Sequence, residues 1–423
     1  MKILLDSVGC RLNQSEIEKM AFKLRNYGHE IVSLAADADV AIINTCTVTS
    51  AAAADSRKLI RRIAREGCSK ILTTGCLSTI DPDRINSLPS VIRSYSNNEK
   101  DFLADDRIFN NTIINNSKIS RKPLPGKNKR TRAFIKIQDG CDNFCSFCIT
   151  RIARGKGWSV SKEEIFADIT YALSGDVKEI VLTGVNIGSW GKDFRGACNL
   201  AGLIRDILGR FDIPRIRLSS IEPWDIDDAV LELLQHPSFC HHFHIPLQSG
   251  CDATLQRMGR RITTREFGTL VEKIRSIDEN TAITTDIIVG FPGETLDEFQ
   301  QSLAFIRAMD FSGGHVFRYS PRAGTPASSF PNPVSNLIKK ERSKLMRNQF
   351  QISENNFLKK HLRKELDVLW EKSDKKENGK YYLAGITDNY ISVQSESIVD
   401  RYNEISRVKI SEIKENKVIG EIL

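Results

Sequence analysis

Short apolar runs alternate with amphipathic stretches along the first hundred residues. Residues 2–5, 39–43 and 70–73 are apolar runs of strand length. Between them, 15–26 and 50–66 repeat apolar positions at helical spacing. Ser15 with Glu18 fits a capping box ahead of Met20 and Leu24. Strands joined in this way predict a parallel, doubly wound sheet. The pattern then breaks. Residues 110–116 are rich in Asn. Residues 117–132 carry seven basic side chains (Lys118, Arg121, Lys122, Lys127, Lys129, Arg130, Arg132), two Pro and no acid, which reads as a linker or exposed arm.

Alternation resumes from Ala133. Strands fit 134–138, 179–183, 215–219, 242–247, 284–289 and 314–319, and helices fit 161–173, 200–211, 226–235, 264–277 and 296–309. Six β/α units of ~30 residues predict a partial (β/α) barrel with its chemistry at the C-terminal ends of the strands. A basic helix follows over 335–362. Beyond it the period changes to two, with strands at 366–370, 381–386, 391–394, 408–413 and 418–422, and turn signals at Asn378-Gly379 and Asp388-Asn389. This last part predicts a small antiparallel β-barrel. The expected organisation is α/β: a first domain over 1–112, a basic linker over 113–132, a partial barrel over 133–362 and a β-barrel over 363–423.

Composition narrows the class. The chain has 423 residues, 40% hydrophobic and 27% charged, which excludes a disordered or collagenous chain. No apolar run reaches the about 18 residues a membrane helix needs. Residues 1–6 are too short for a secretory signal and read as a strand. The net charge of +8 is mild and agrees either with a mixed solvated surface or with a nucleic-acid partner. Ten cysteines without a signal segment point to a reducing, cytoplasmic setting and to metal-binding or catalytic thiolates.

The cysteine spacing is the sharpest chemical signal. Cys141, Cys145 and Cys148 form C-x3-C-x2-C directly after the first barrel strand. A structural zinc site needs a fourth ligand, and no nearby Cys or His offers one. Three thiolates can hold three irons of a 4Fe–4S cluster and leave the fourth iron open. In the first domain, Cys10, Cys46 and Cys76 each lie just past the end of a strand, 36 and 30 residues apart. In a parallel sheet those ends share one edge, where such folds bind ligands, so the three thiols are expected to converge. Cys68 precedes its strand and reads as an ordinary thiol. Cys198, Cys240 and Cys251 lack partners at ligand spacing.

The Cys141–Cys148 triplet resembles the signature of radical S-adenosylmethionine enzymes. With the second triad and the terminal β-barrel, nearly the whole chain resembles the methylthiotransferase family. Its motifs are Gly9-Cys10-Arg11-Leu12-Asn13-Gln14-Ser15-Glu16, Asn44-Thr45-Cys46-Thr47-Val48-Thr49, Thr74-Gly75-Cys76 and Gly140–Cys148. Further along come Leu182-Thr183-Gly184-Val185-Asn186-Ile187-Gly188, His244-Ile245-Pro246-Leu247-Gln248-Ser249-Gly250, Thr285-Asp286 through Gly293-Glu294, and Tyr319-Ser320-Pro321-Arg322-Ala323-Gly324-Thr325. The terminal barrel resembles the RNA-binding TRAM module. The family usually has Ser where this chain has Cys251, which reads as non-ligating.

The resemblance implies two 4Fe–4S clusters, an auxiliary one on Cys10, Cys46 and Cys76 and a radical-generating one on Cys141, Cys145 and Cys148. It also implies two S-adenosylmethionine molecules per turnover: one methylates sulfur, and the other is cleaved to a radical that abstracts hydrogen. Radical chemistry suits the C2–H of adenine, whose lack of acidity leaves a general base nothing to do. Polar groups at the barrel strand ends (Gly184, Asn186, Glu222, Gln248, Ser249 and Asp286) are candidates to hold S-adenosylmethionine. Arg151, Arg154 and Lys156 are candidates to meet phosphates.

Members of the family differ in target. The Cys10–Glu16 entry and the Ala153–Gly157 segment resemble most the branch acting on threonylcarbamoyladenosine at tRNA position 37. That branch usually has Arg-Gly-Arg-Ser-Arg where this chain has Arg154-Gly155-Lys156-Gly157-Trp158. The alternatives are isopentenyladenosine at the same position and an aspartate of a ribosomal protein. A non-catalytic iron–sulfur RNA-binding protein and a zinc protein are readings of a different class. The expected partners are the tRNA anticodon stem-loop and a one-electron donor such as flavodoxin or ferredoxin, with no membrane.

Overall fold

The computed structural model describes residues 1–104, 131–377, 379–414 and 417–423. Most of the basic stretch 113–132, and Asn378 of one expected turn, lie outside the described residues. The chain forms two compact units: Met1–Asn143 with Cys148–Asp176 and Thr183–Val185, and Phe144–Phe147 with Val177–Leu182 and Asn186–Leu423.

The first unit begins with β1 (Lys2–Ser7), α1 (Arg11–Asn26), β2 (Glu30–Val32), β3 (Val40–Thr45), α2 (Ser50–Arg65), β4 (Ile71–Gly75), α3 (Cys76–Ile80), α4 (Pro82–Asn86) and β5 (Val91–Ser94). All neighbouring strands pair in parallel, in the order β2-β1-β3-β4-β5. Strand alternation decides which residues meet which layer. Ile3, Leu5 and Ile42 bury against Ile17, Met20 and Leu24 of α1. Leu4, Ala41 and Ile43 point the other way, onto Leu59, Ile60 and Ile63 of α2. The doubly wound sheet is thus as expected, with two strands added. Both β2 and β5 are short and partly exposed, so neither shows a continuous apolar run.

The start of α1 differs from the expectation. The helix opens at Arg11 with Cys10 in the N-cap position, and Ser15 is buried inside it. Gly9, at φ +107°, turns the chain straight out of β1, so the helix starts before Ser15 has a terminus to cap. The unit continues through β6 (Arg132–Lys136), β7 (Gln138–Asp139), α5 (Thr150–Arg154), β8 (Trp158–Ser159, antiparallel to β7) and α6 (Lys162–Leu173).

The second unit holds β9 (Glu179–Thr183), α7 (Leu200–Arg210), β10 (Arg215–Leu218), α8 (Asp228–Leu231), β11 (His242–His244), α9 (Asp252–Arg257), α10 (Thr264–Ile277), β12 (Ala282–Val289), α11 (Leu296–Met309) and β13 (Gly313–Arg318). β10 lies parallel to β9, and β11, β12 and β13 pair in parallel. A parallel bridge from Ser220 to His244 joins the two groups. This is the alternation of a partial (β/α) barrel. β11 ends at His244, short of the expected 247, because Pro246 has no N–H for a ladder. The expected helix over 226–235 divides into α8 and a 3-10 turn over Glu232–Gln235.

After α12 (Asn336–Lys359) come β14 (Glu365–Lys375), β15 (Tyr381–Thr387), β16 (Ser392–Ser397), β17 (Ile405–Lys414) and β18 (Lys417–Ile422). They close a barrel in the order β14-β15-β16-β18-β17 around Trp370, Leu383, Val393, Val408 and Val418. The barrel is not wholly antiparallel, since β16 and β18 run parallel. Direction cannot alternate all the way round a ring of five, so one pair must break the rule.

Candidate iron–sulfur and cofactor sites

Cys10, Cys46 and Cys76 follow β1, β3 and β4, three adjacent strands of one parallel sheet. The register pairs Ser7 with Asn44, Asn44 with Thr74, and Thr45 with Gly75. Cys46 and Cys76 are therefore the next residues after a cross-strand pair. The strand order reverses between β1 and β3, which is where ligands settle on such sheets.

Two glycines make the convergence possible. A Cβ on Gly9 would lie 2.5 Å from the Cys46 Cβ and 2.7 Å from its Sγ. A Cβ on Gly75 (φ +97°) would lie 2.3 Å from the Thr45 carbonyl oxygen and 2.4 Å from Asn44 Oδ1. Any side chain at either position would push the cysteine loops apart.

The three thiols act on one another electrostatically. Cys10 keeps an exposed surface, yet desolvation by the protein around it raises its thiol, with Arg154 opposing and Cys76 adding to the shift. Burial pushes Cys46 up to about 11, with Cys10 and Cys76 contributing in the same direction. Nearby amides face the sulfurs: Asn97 Nδ2 lies 3.8 Å from Cys76 Sγ, and Asn13 Oδ1 lies 3.9 Å from Cys10 Sγ. Asn13 Nδ2 also donates to the Val8 and Thr45 carbonyls at 2.8 and 3.1 Å, tying the first two loops together. Among the described residues no three His, Cys, Asp or Glu side chains are grouped to clasp a single ion. In an iron–sulfur cluster each iron takes its own thiolate, so the ligands stand farther apart. Three soft donors with an amide N–H near sulfur fit that chemistry.

Beside the thiols lies a buried ionic network that sequence reading missed. Glu16, on the turn of α1 after Cys10, meets Arg154 Nη1 at 2.9 Å and Lys100 Nζ at 2.5 Å. Arg154 also binds Asp139 at 2.9 and 3.0 Å and Asn13 Oδ1 at 2.8 Å. Lys136 reaches Asp139 at 2.5 Å. Burial alone would raise the Glu16 carboxyl, but Arg154, Lys100 and Lys136 outweigh it and hold it well below the usual carboxylate range. The expectation that Arg154 meets phosphates is thereby corrected. Its side chain is buried and its donors face Glu16, Asp139 and Asn13, whereas Arg151 and Lys156 are exposed.

Cys141 and Cys148 belong to the first unit and Cys145 to the second. The Cys141 N–H donates to the Gly155 carbonyl at 3.1 Å. Gly140, at φ +66°, brings the backbone so close to Lys156 that a Cβ would lie 2.0 Å from its carbonyl oxygen. In the second unit, Ser146 is held on both sides: its N–H donates to the Met258 carbonyl at 2.9 Å and its Oγ to the Arg257 carbonyl at 2.8 Å. Arg260 Nη1 lies 3.7 Å from Cys145 Sγ, and the same guanidinium binds Glu222 at 3.1 and 2.6 Å and stacks on Trp224 at 4.6 Å. Arg260 is a further residue that the sequence did not signal, since neither a motif nor a cysteine spacing marks it.

Of the polar candidates at strand ends, Gly184 falls in the first unit and the others in the second. Glu222 is engaged by Arg260. Gln248 takes φ +82°, and its N–H donates to the Asp286 carbonyl at 2.8 Å. Ser249 is buried, and its Oγ accepts the Cys251 N–H at 3.3 Å. Asp286 Oδ2 lies 3.3 Å from His244 Nε2, and its Oδ1 is buried with no hydrogen bond among the described residues. Asn186 is buried just past β9. Three of the remaining cysteines have contacts of their own. Cys68 donates to the Lys70 carbonyl, and burial pushes Cys240 up to about 12. Cys251 contacts Gln301 Oε1 at 3.5 Å.

Comparison with known proteins places these features in context. The radical SAM superfamily model matches residues 135–306, and an uncharacterized family, UPF0004, matches 2–95. The chain is similar to threonylcarbamoyladenosine tRNA methylthiotransferase MtaB of Thermotoga maritima, 36% identical and covering 99% of this chain and 96% of that one. The Bacillus subtilis protein of the same name is 35% identical, over 96% and 93%. A tRNA-2-methylthio-N(6)-dimethylallyladenosine synthase from Bacillus velezensis is 30% identical, over 98% and 84%. Among solved structures, the radical S-adenosylmethionine methyltransferase TsrM of Kitasatospora setae shares the fold at TM-score 0.58 and 15% identity, over 77% of this chain and 75% of that one.

Proposed function

Because the chain belongs to the radical S-adenosylmethionine tRNA methylthiotransferase family, we propose that it converts N6-threonylcarbamoyladenosine at tRNA position 37 to its 2-methylthio derivative. The observation that carries this reading is the near full-length similarity to proteins bearing that name, taken with three cysteines at the ends of three adjacent strands. The proposed division of labour follows the domains: 1–112 for the auxiliary site, 133–362 for the radical site and 363–423 for RNA, joined by the basic linker 113–132.

When bound, the two 4Fe–4S clusters and S-adenosylmethionine supply the radical that removes hydrogen and the methylthio group that replaces it. The protein's residues set the stage. Cys10, Cys46 and Cys76 would hold one cluster, and Cys141, Cys145 and Cys148 the other. Arg260 places a positive charge at Cys145 and is itself fixed by Glu222. Gly184, Asn186, Gln248, Ser249 and Asp286 are the proposed contacts to S-adenosylmethionine. On the terminal barrel, Lys376 lies over Tyr382 at 4.7 Å and Lys375 over Tyr381 at 5.9 Å. Cations paired with aromatic rings suit a single-stranded RNA loop. The proposed electron donor is a flavodoxin or ferredoxin, and the proposed setting is the cytoplasm, where tRNA is. Among the described residues no helix is long and apolar enough to cross a membrane.

Nucleoside mass spectrometry of tRNA from a deletion strain tests the proposal. The 2-methylthio-threonylcarbamoyl nucleoside should vanish and return on complementation. Its persistence in a strain without a second relative would refute the assignment, and loss of the 2-methylthio-isopentenyl nucleoside instead would move the enzyme to that branch.

A further inference from the structure

Arg154 stands where two cysteine loops are tied to the buried network. Its Nη2 donates to Asn13 Oδ1, the atom 3.9 Å from Cys10 Sγ. The carbonyl of the preceding residue, Ala153, accepts from Asn97 Nδ2 at 2.7 Å, and that same amide nitrogen lies 3.8 Å from Cys76 Sγ. One turn of α5 therefore reaches Cys10 through Asn13 and Cys76 through Asn97. On its other side the guanidinium grips Glu16 and, two residues before Cys141, Asp139. The network contains three cations (Lys100, Lys136, Arg154) and two carboxylates (Glu16, Asp139). Its balance is one positive charge, and Arg154 is the buried member that reaches toward Cys10 through Asn13. A buried charge acts strongly because little water screens it.

We propose that Arg154 is a positioning residue of the auxiliary site, fixing the Cys10 and Cys76 loops and supplying the positive charge that favours the reduced form of a cluster held by Cys10, Cys46 and Cys76. The inference rests on the two-cluster reading above. Cluster potentials follow local net charge and hydrogen bonds to sulfur, so a network with one excess positive charge beside the thiolates raises the potential. Glu16 has the opposite effect through the same network.

The test uses the full chain with Cys141, Cys145 and Cys148 each changed to Ala, so that only the auxiliary site remains. After anaerobic reconstitution, iron and sulfide are counted, and the midpoint potential is followed by electron paramagnetic resonance. Arg154→Met should shift the midpoint to more negative values, Arg154→Lys should restore most of it, and Glu16→Gln should shift it to more positive values. A purely structural role would not move the two neutralising variants in opposite directions. Unmoved midpoints, or shifts of the same sign, would overturn the inference while leaving the cluster reading intact. Should Arg154→Met fail to hold iron, the sign of the Glu16→Gln shift decides alone. A parent protein that takes up no iron overturns the cluster reading and this inference with it.

Discussion

Gly75 shows how much of the auxiliary site depends on one missing atom. Its φ of +97° lies in the region where an L side chain is strained, and a Cβ would strike the Thr45 carbonyl. Gly75→Ala should cost at least about 1 kcal/mol from backbone strain alone, before the clash is relieved. The measurement is the thermal midpoint of the apo-protein together with iron uptake, and both should fall. Cys145 gives a sharper chemical prediction. Cys145→Ala should abolish formation of 5′-deoxyadenosine from S-adenosylmethionine under anaerobic reduction, leaving the far-ultraviolet spectrum unchanged. At this scale the cysteines were legible, because ligand spacing is a property of the chain. Arg260 and Asn97 were not, since each reaches its sulfur from a distant part of the chain, 115 and 21 residues away.

Among the elements, α10 and α11 open with complete capping boxes, on Thr263 and Thr295. Thr295 accepts the Glu298 N–H at 3.1 Å, and Glu298 returns a bond to the Thr295 N–H at 3.1 Å, closing a capping box at α11. Thr295→Ala should lower stability by about 1 kcal/mol, read as a lower thermal midpoint with S-adenosylmethionine cleavage retained. The Ser15 and Glu18 pattern has a similar look yet caps nothing, because Gly9 and Cys10 begin α1 four residues earlier. The strands were legible where both faces are buried, as in β3 and β4, and were missed in β2 and β5, where exposure removes the apolar run.

Across the second unit, the small barrel is fastened to β10 by arginines. Arg215 donates to the carbonyls of Ile386 and Asp367 at 2.9 and 2.7 Å, and Arg217 to those of Asp388 and Thr387 at 2.7 and 3.1 Å. Glu179, fully buried on β9, neutralises Arg217. His241 joins this seam, with Nδ1 2.8 Å from Asp388 Oδ2. The hydrogen bond to Asp388 raises the His241 pKa despite partial burial. For Asp388, burial opposes ionisation, but His241 prevails and lowers its pKa. The histidine's contribution is full below its unfolded pKa of about 6.5 and is lost as pH rises through the higher folded value. The aspartate's contribution is lost as pH falls below about 4. Stability should therefore decline above about pH 6.5 by at most about 1 kcal/mol, given that the pair is partly solvated. Thermal midpoints measured between pH 5.5 and 8 should show this slope in the wild type and lose it in Asp388→Asn.

The sequence alone determined the order of the buried strands and long helices, the three strand ends that carry Cys10, Cys46 and Cys76, and the C-x3-C-x2-C loop. Periodicity and spacing are local, and each residue's neighbours along the chain suffice to read them. Tertiary structure decided which distant groups surround the sulfurs, with Arg154 bonded to Asn13 and Arg260 at Cys145, and it decided the parallel β16–β18 pair that closes the terminal barrel. Those contacts join residues with no periodic relation to one another. Only packing brings their charges and amides together, and burial then makes them strong.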